Sequence, residues 1–524
     1  MSLFDKKFTF ISTGDKKGFY TLRVYGNNRI NGKNASAFIR NLSTDKDKAI
    51  IKARLLSEEL GLPLNEEIDF ELNEIARNES LQQPTETFED APITEDNFQP
   101  SQNISTEGLE GQDLAIAMIL NGDNVFVTGP GGCGKSWVVK EVYNPKNTIL
   151  CAPTGIAAIN IGGVTCHRLF GLPMGCATAK DKRTISSSMK TLFSDNKIKR
   201  IIIDEIGMLR TDHLDLIDHK LKRVKKNSLP FGGIQVVAVG DFFQLSPIVS
   251  NQEKEVFYRE HQSPFCFTSK NWNFKTVVLE KVYRQEALQE VAVLNSIRKK
   301  DKHHKRAINW IMDKAEHNIS TETTTYLCTT RDRAENHNKF WYDKLKTKER
   351  LYYGTSKGGE EWGNDVPAPK HLYLKEGAKV LLCANDPGGQ FKNGQTGVVI
   401  KAGISDVIVK LDNSGEQVIV APFTWDQYKY INTEEGIDRV VDKSFTQLPV
   451  KLGWAITVHA SQGMTLEDVC VEVGRGCFAH GQLYVALSRI KCLSKINIGT
   501  PLREQDVIVH QEVVDFYEQL RADE

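Results

Sequence analysis

The chain has no surplus of either charge. Its 67 Lys and Arg balance 67 Asp and Glu, so the formal net charge is zero. That gives no support to holding nucleic acid by bulk charge, while a local basic groove stays open. Long apolar runs are missing too. None approaches the roughly 20 residues that span a bilayer, so no membrane partner is expected. The first residues, Met1-Ser2-Leu3-Phe4-Asp5-Lys6-Lys7, lack the apolar core of a signal peptide. The ten cysteines form no C-x-x-C pair and have no His partner at zinc spacing. They read as reduced, mostly buried thiols in a reducing compartment. The expected location is the cytoplasm of a bacterium or of a phage-infected cell. No second acidic metal cluster stands out, so nuclease chemistry finds no support.

What is present is more specific. Val127-Thr128-Gly129-Pro130-Gly131-Gly132-Cys133-Gly134-Lys135-Ser136 fits the phosphate-loop pattern G-x-x-x-x-G-K-[ST]. The residues before it, Asn124 to Val127, read as a short buried strand, and Trp137 to Val142 can continue as a helix. Glycines let main-chain N–H groups close around phosphate oxygens, and the helix start adds its dipole. Gly129 to Ser136 is therefore the expected nucleotide cradle. Lys135 is expected at the β and γ phosphates and Ser136 on Mg²⁺. A glycine-rich structural turn is the competing reading. Cys133 sits inside this loop.

Ile201-Ile202-Ile203-Asp204-Glu205 is an apolar strand ending in two carboxylates. After a phosphate loop, Asp204 is expected to hold the Mg²⁺ water shell and Glu205 to polarise the attacking water. A solvated acidic turn is the alternative. Gly240-Asp241-Phe242-Phe243-Gln244-Leu245-Ser246-Pro247 follows another apolar strand. Gln244 is placed there to sense the γ-phosphate or the attacking water.

At 524 residues the chain is long enough for several domains. Residues 1–61 read as a small N-terminal α+β module, with strand-like runs at Phe8 to Ile11 and Phe19 to Val24. A helix is expected from Asp45 to Leu60. Residues 62–105 are acidic, with Arg77 the single basic residue, and read as a flexible linker. From Leu109 onward, strand-like segments alternate with helical ones at 124–128, 148–152, 200–204 and 235–240. The pattern returns at 324–329, 468–473 and 494–498. It predicts an α/β fold with two parallel-sheet domains, 106–285 and 286–376 with 426–524. Between them, short strands separated by Gly, Asn and Asp predict a small β-barrel inserted at 377–425.

Further segments complete an ordered set: Ala152-Pro153-Thr154-Gly155, Gly163-Val164-Thr165-Cys166-His167-Arg168-Leu169-Phe170, Val282-Tyr283-Arg284-Gln285, Val458-His459-Ala460-Ser461-Gln462-Gly463, and Tyr484-Val485-Ala486-Leu487-Ser488-Arg489. The set resembles the Pif/RecD-like branch of superfamily-one DNA helicases, which includes the phage Dda helicases. The resemblance covers roughly residues 109–500. It implies two RecA-like domains and an ATP-hydrolysing helicase that moves 5′-to-3′ on single-stranded DNA and unwinds forked duplexes, in replication, recombination or repair. It implies that Gln112 reads adenine and that Arg284 and Arg489 reach the γ-phosphate. Thr154, His167, Thr457, His459, Ser461 and Gln462 match positions that line a single-strand channel. Phe170 and the stretch within 170–199 fall where relatives carry a strand-separating wedge, although no wedge signature stands out. A translocase that displaces proteins with little unwinding is the alternative. The chain is expected to act as a monomer. Residues 1–105 are the expected contact for a replication or single-strand-binding protein.

Overall fold

The computed structural model describes strands within residues 6–43 and most of residues 104–522, except 285–286, 316–323, 359–365, 465 and 467–468. Two compact units divide the chain, residues 1–97 and 98–524. In the first, Lys6–Thr13, Tyr20–Ile30 and Lys33–Ser43 pair as an antiparallel sheet. The third strand was not expected. The predicted helix at 45–60 and the acidic stretch to residue 103 lie outside the described residues.

The second unit contains two parallel sheets. The larger runs Val164–Thr165, Thr148–Ala152, Arg200–Ile203, Gln235–Gly240, Val125–Thr128, Lys275–Val278. Its central strands Val125–Thr128, Thr148–Ala152 and Arg200–Ile203 are buried at every position. Such unbroken apolar runs are what a sheet covered on both faces requires. The smaller sheet runs Ala455–Thr457, Thr325–Cys328, Val469–Glu472, Asn497–Ile498. Among the described residues no helix is long and apolar enough to cross a membrane.

A five-stranded antiparallel sheet occupies the predicted insertion, ordered Gln417–Val420, Val407–Leu411, Thr396–Ala402, Lys379–Leu382, Val450–Leu452. Alternating burial, as in Val407–Leu411, leaves one face for its own apolar core. The insertion does not stop at 425. Phe423–Thr433 and Gly436–Gln447 form one long hairpin, and the strand Val450–Leu452 returns to the insertion's sheet. The hairpin reaches the larger parallel sheet. Leu150 N donates to Tyr430 Oη at 3.0 Å, and the Arg439 guanidinium donates to Gly162 O.

The C-terminal helix Gln511–Ala522 also departs from the predicted division. Val513 and Tyr517 are buried in the core of the larger sheet, with Phe516 packed against it. Phe516 meets Phe126 at 6.3 Å and Phe242 at 5.7 Å between ring centroids. Residues far apart in sequence thus complete the domain that carries the phosphate loop.

Candidate nucleotide and DNA site

Every candidate nucleotide residue lies near the carboxyl end of a parallel strand or in an element beside it, where open α/β sheets place their ligands. The phosphate loop leaves Val125–Thr128 and enters the helix Lys135–Val142. Gly132 and Gly134 have φ of +83° and +86°, a left-handed backbone that favours glycine. A Cβ on Gly132 would lie 2.6 Å from Arg284 Cβ, and one on Gly134 would overlap Gln112 Nε2. Gln112 Nε2 donates to Cys133 O at 3.2 Å, which pins this glutamine to the loop. Cys133 itself is buried, 1% exposed. Lys135 Nζ donates to Gly129 O at 2.9 Å and Pro130 O at 3.0 Å, so the ammonium lies across the cradle. Ser136 follows in the first turn of the helix.

The Asp204 and Glu205 pair follows Arg200–Ile203. Burial, with Glu205 alongside, pushes the Asp204 carboxyl up to about 7. Asp204 Oδ1 accepts from Glu205 N at 2.9 Å. Glu205 has φ +52°, a left-handed conformation that costs a non-glycine residue energy and recurs at functional sites. Gln244 is buried at 6% exposure in the turn after Gln235–Gly240.

Two arginines converge on the loop, Arg284 from the end of its own domain and Arg489 from the second. A Cβ on Gly131 would lie 3.2 Å from Arg489 Nη2 and 3.4 Å from Arg284 Nη1. Arg284 Nη1 donates to Ser488 O at 3.0 Å, and Arg489 Nη2 to Ser488 Oγ at 2.9 Å. Burial lowers the pKa of both, Arg489 to about 10 with Arg284 adding repulsion. Among the described residues neither makes an ion pair. Two close, partly desolvated cations beside main-chain donors suit a polyphosphate. The donor set also fits Mg²⁺: the half-buried carboxylate of Asp204 and the Ser136 hydroxyl are hard oxygen ligands.

The candidate DNA residues divide. Thr154 caps the helix Gly155–Asn160, its hydroxyl accepting from Ala157 N at 3.3 Å. His167 meets His213 edge-on at 5.1 Å, and burial and His213 keep it below its ordinary pKa. Thr457 Oγ1 accepts from Ala460 N at 3.2 Å. His459 is lowered by burial as well. Among the described residues the buried Gln462 Nε2 has no partner, an orphaned donor that a ligand could satisfy. A Cβ on Gly463 would lie 3.5 Å from Asn160 Nδ2, so the 457–463 segment and the Thr154 helix meet across the two sheets.

Two of the set are not available. Ser461 is 0% exposed and its hydroxyl donates to Val458 O at 2.8 Å. Phe170 is also fully buried, in the larger sheet's core, stacked on Phe193 at 6.0 Å. It is a packing residue here and not a wedge. The reason is local: it ends the short helix Cys166–Phe170 on the face turned to the core. Phe170→Ala is expected to cost about 3–5 kcal/mol of stability. Melting combined with DNA titration checks this, the expectation being that the folded fraction binds DNA as before.

Sequence reasoning missed several residues. Tyr484 Oη accepts from Gly131 N at 2.9 Å. Tyr517 Oη and Thr128 Oγ1 share a 2.5 Å hydrogen bond at the residue before the loop. Arg298 binds Asp241 through two hydrogen bonds, at 2.7 and 3.0 Å. Tyr484 and Asp241 lie within recognised segments, but Arg298 and Tyr517 carry no local signal.

The sequence matches the PIF1-like helicase family over residues 112–325. It is 30% identical to the zebrafish (Danio rerio) ATP-dependent DNA helicase PIF1, with 81% of this chain and 65% of that protein aligned. It is 30% identical to the Bdellovibrio bacteriovorus ATP-dependent DNA helicase Pif1, covering 78% of this chain and 92% of that one. The chain thus spans 65% of the zebrafish relative's length and nearly all of the bacterial one. The structure is similar to that of Bacteroides sp Pif1 in complex with ADP-AlF4, with TM-score 0.71 and 34% identity over 79% of this chain and 96% of that one. Bacteroides Pif1 bound to ssDNA gives TM-score 0.57 and 35% identity.

Proposed function

The chain belongs to the PIF1-like helicase family, and on that premise we propose that it is an ATP- and Mg²⁺-dependent DNA helicase. It moves 5′-to-3′ on single-stranded DNA and unwinds forked duplexes in replication, recombination or repair. The observation that carries the reading is the convergence of Arg284 and Arg489 on Gly131. Charge spreads over the phosphoryl oxygens in the transition state, and paired guanidinium forks stabilise it there.

In this reading Gly129 to Ser136 cradle the phosphates, Lys135 neutralises them, and Gln112 holds the adenine edge. Ser136 and Asp204 hold Mg²⁺, which would draw charge from the phosphate oxygens. Glu205 takes the proton of the attacking water, and Gln244 orients that water. Domain 106–285, completed by the C-terminal helix, supplies the cradle, and the second domain supplies Arg489. Thr154, His167, Thr457, His459 and Gln462 follow the single strand without reading its bases, as small hydroxyls and amides do. The protein acts as a monomer in the cytoplasm. The test is strand displacement on duplexes with a 5′ or a 3′ tail. Unwinding of the 5′-tailed duplex alone is expected; preference for the 3′ tail overturns the polarity.

The N-terminal residues serve recruitment of a replication or single-strand-binding protein. Residues 98–524 form a compact unit of their own, and all recognised motifs lie within it. A protein beginning at residue 104 is therefore expected to fold and keep DNA-stimulated ATPase activity. Its DNA affinity and salt slope should match the full chain. A weaker affinity with a shallower slope would make residues 1–103 part of the DNA site.

A further inference from the structure

The turn that carries Gln244 is anchored in both cores of the second unit. Phe242 and Phe243 pack in the core of the larger sheet, whereas Leu245 packs in the core of the smaller one. Gln244 lies between them, its N–H donating to Asp241 O at 3.0 Å. Two side chains from the smaller sheet's side hold this turn. Arg298, on the helix Leu288–Lys299, grips the Asp241 carboxylate with Nε at 3.0 Å and Nη2 at 2.7 Å. Its guanidinium also lies 4.5 Å from the Phe243 ring centroid. Burial opposes that charge, but Asp241 in contact more than offsets it.

His480 grips the next residue. His510 N can only donate, and it lies 2.9 Å from His480 Nδ1. The ring proton is therefore on Nε2, which donates to Phe242 O at 2.7 Å. The imidazole is neutral, its pKa pushed down to about 4 by burial. Directly after it, a Cβ on Gly481 would lie 2.5 Å from Gln244 O. Gly481 opens the helix Gln482–Ser488, whose C-cap is Arg489.

We infer that Arg298 and His480 are positioning residues for ATP hydrolysis: they set Gln244 by holding Asp241 and Phe242, and tie it to the helix bearing Arg489. The inference rests on the proposed helicase reading. The contacts that dock the second domain on this turn then place Arg489 and the water-orienting glutamine together, so neither is placed without the other. The competing account is a buried ion pair and a buried histidine that only support the fold.

The test is steady-state ATPase with saturating single-stranded DNA, beside the KM for ATP, fluorescent-nucleotide binding and thermal melting. His480→Leu removes both hydrogen bonds. Its kcat should fall about tenfold to a hundredfold, with the KM for ATP within about twofold. His480→Gln offers an amide donor and a carbonyl acceptor and should recover most of the loss. Arg298→Met alone strands a buried charge, so it is paired with Asp241→Asn, and the pair should show the same split. If that pair does not fold, Arg298→Lys keeps the charge without the fork and carries the same expectation. Wild-type kcat in His480→Leu overturns the inference. So does a joint fall of kcat, nucleotide binding and melting temperature that His480→Gln does not relieve. Absence of DNA-stimulated turnover in the wild type sinks the helicase reading itself, and the two failures are thereby told apart.

Discussion

Lys135→Ala is expected to leave the protein folded and to cut ATP turnover by about a hundredfold or more. The fold is spared because, among the described residues, the hydrogen bonds of Lys135 Nζ go to the loop carbonyls Gly129 O and Pro130 O and the Cys133 sulfur. Among the described residues it crosses no core and joins no ion pair. On the proposed reading, the loss in rate follows from removing the cation assigned to the β and γ phosphates. Arg284 and Arg489 remain, and two cations cannot replace a third at the place where charge builds. Circular dichroism and melting should match the wild type while turnover, with and without DNA, collapses. Near-normal turnover would mean that this loop is not where ATP reacts.

Glu205→Gln should separate binding from chemistry. The amide has the carboxylate's shape but cannot accept the water's proton. ATP and single-stranded DNA should both bind, while turnover falls about a hundredfold or more. The left-handed backbone at Glu205, φ +52°, is a property of the turn and tolerates the isosteric change. Loss of nucleotide binding would instead make Glu205 a metal ligand or a structural residue. Because the Asp204 carboxyl is raised partly by its charged neighbour, removing the Glu205 charge should also bring the Asp204 pKa down.

The residues proposed to handle phosphate were legible because their chemistry is local. Glycines at left-handed positions, a lysine at the helix start and carboxylates at a strand end each state their role within a few residues. Arg284 and Arg489 were legible only through the ordered set of segments, since a lone arginine looks like any surface charge. What could not be read depended on distant chain. Phe170 was expected at DNA because it falls where relatives carry a strand-separating wedge, but Phe193 and the rest of the core claim its ring. The long hairpin Phe423 to Gln447 was not read from the sequence, nor was the packing of its Tyr430 and Ile437 on the larger sheet. Arg298 lies in an ordinary amphipathic helix, and only the fold reveals Asp241 opposite it.

The placement of the C-terminal helix bears on how this chain is made. Phe242 N bonds to Tyr517 Oη, a residue synthesised 275 positions later. At ribosomal rates of about 5–20 residues per second, the larger sheet waits some tens of seconds for its last piece. Phe126 and Phe242 lack their Phe516 partner for that interval. The nascent nucleotide domain therefore leaves the ribosome with an open apolar seam, which a chaperone can cover and an aggregating neighbour can exploit. The step that closes this seam also brings Tyr517 to Thr128, beside the phosphate loop. A chain interrupted before that helix would carry every motif proposed to handle phosphate and still lack the packing of Tyr517 and Phe516 beside the loop.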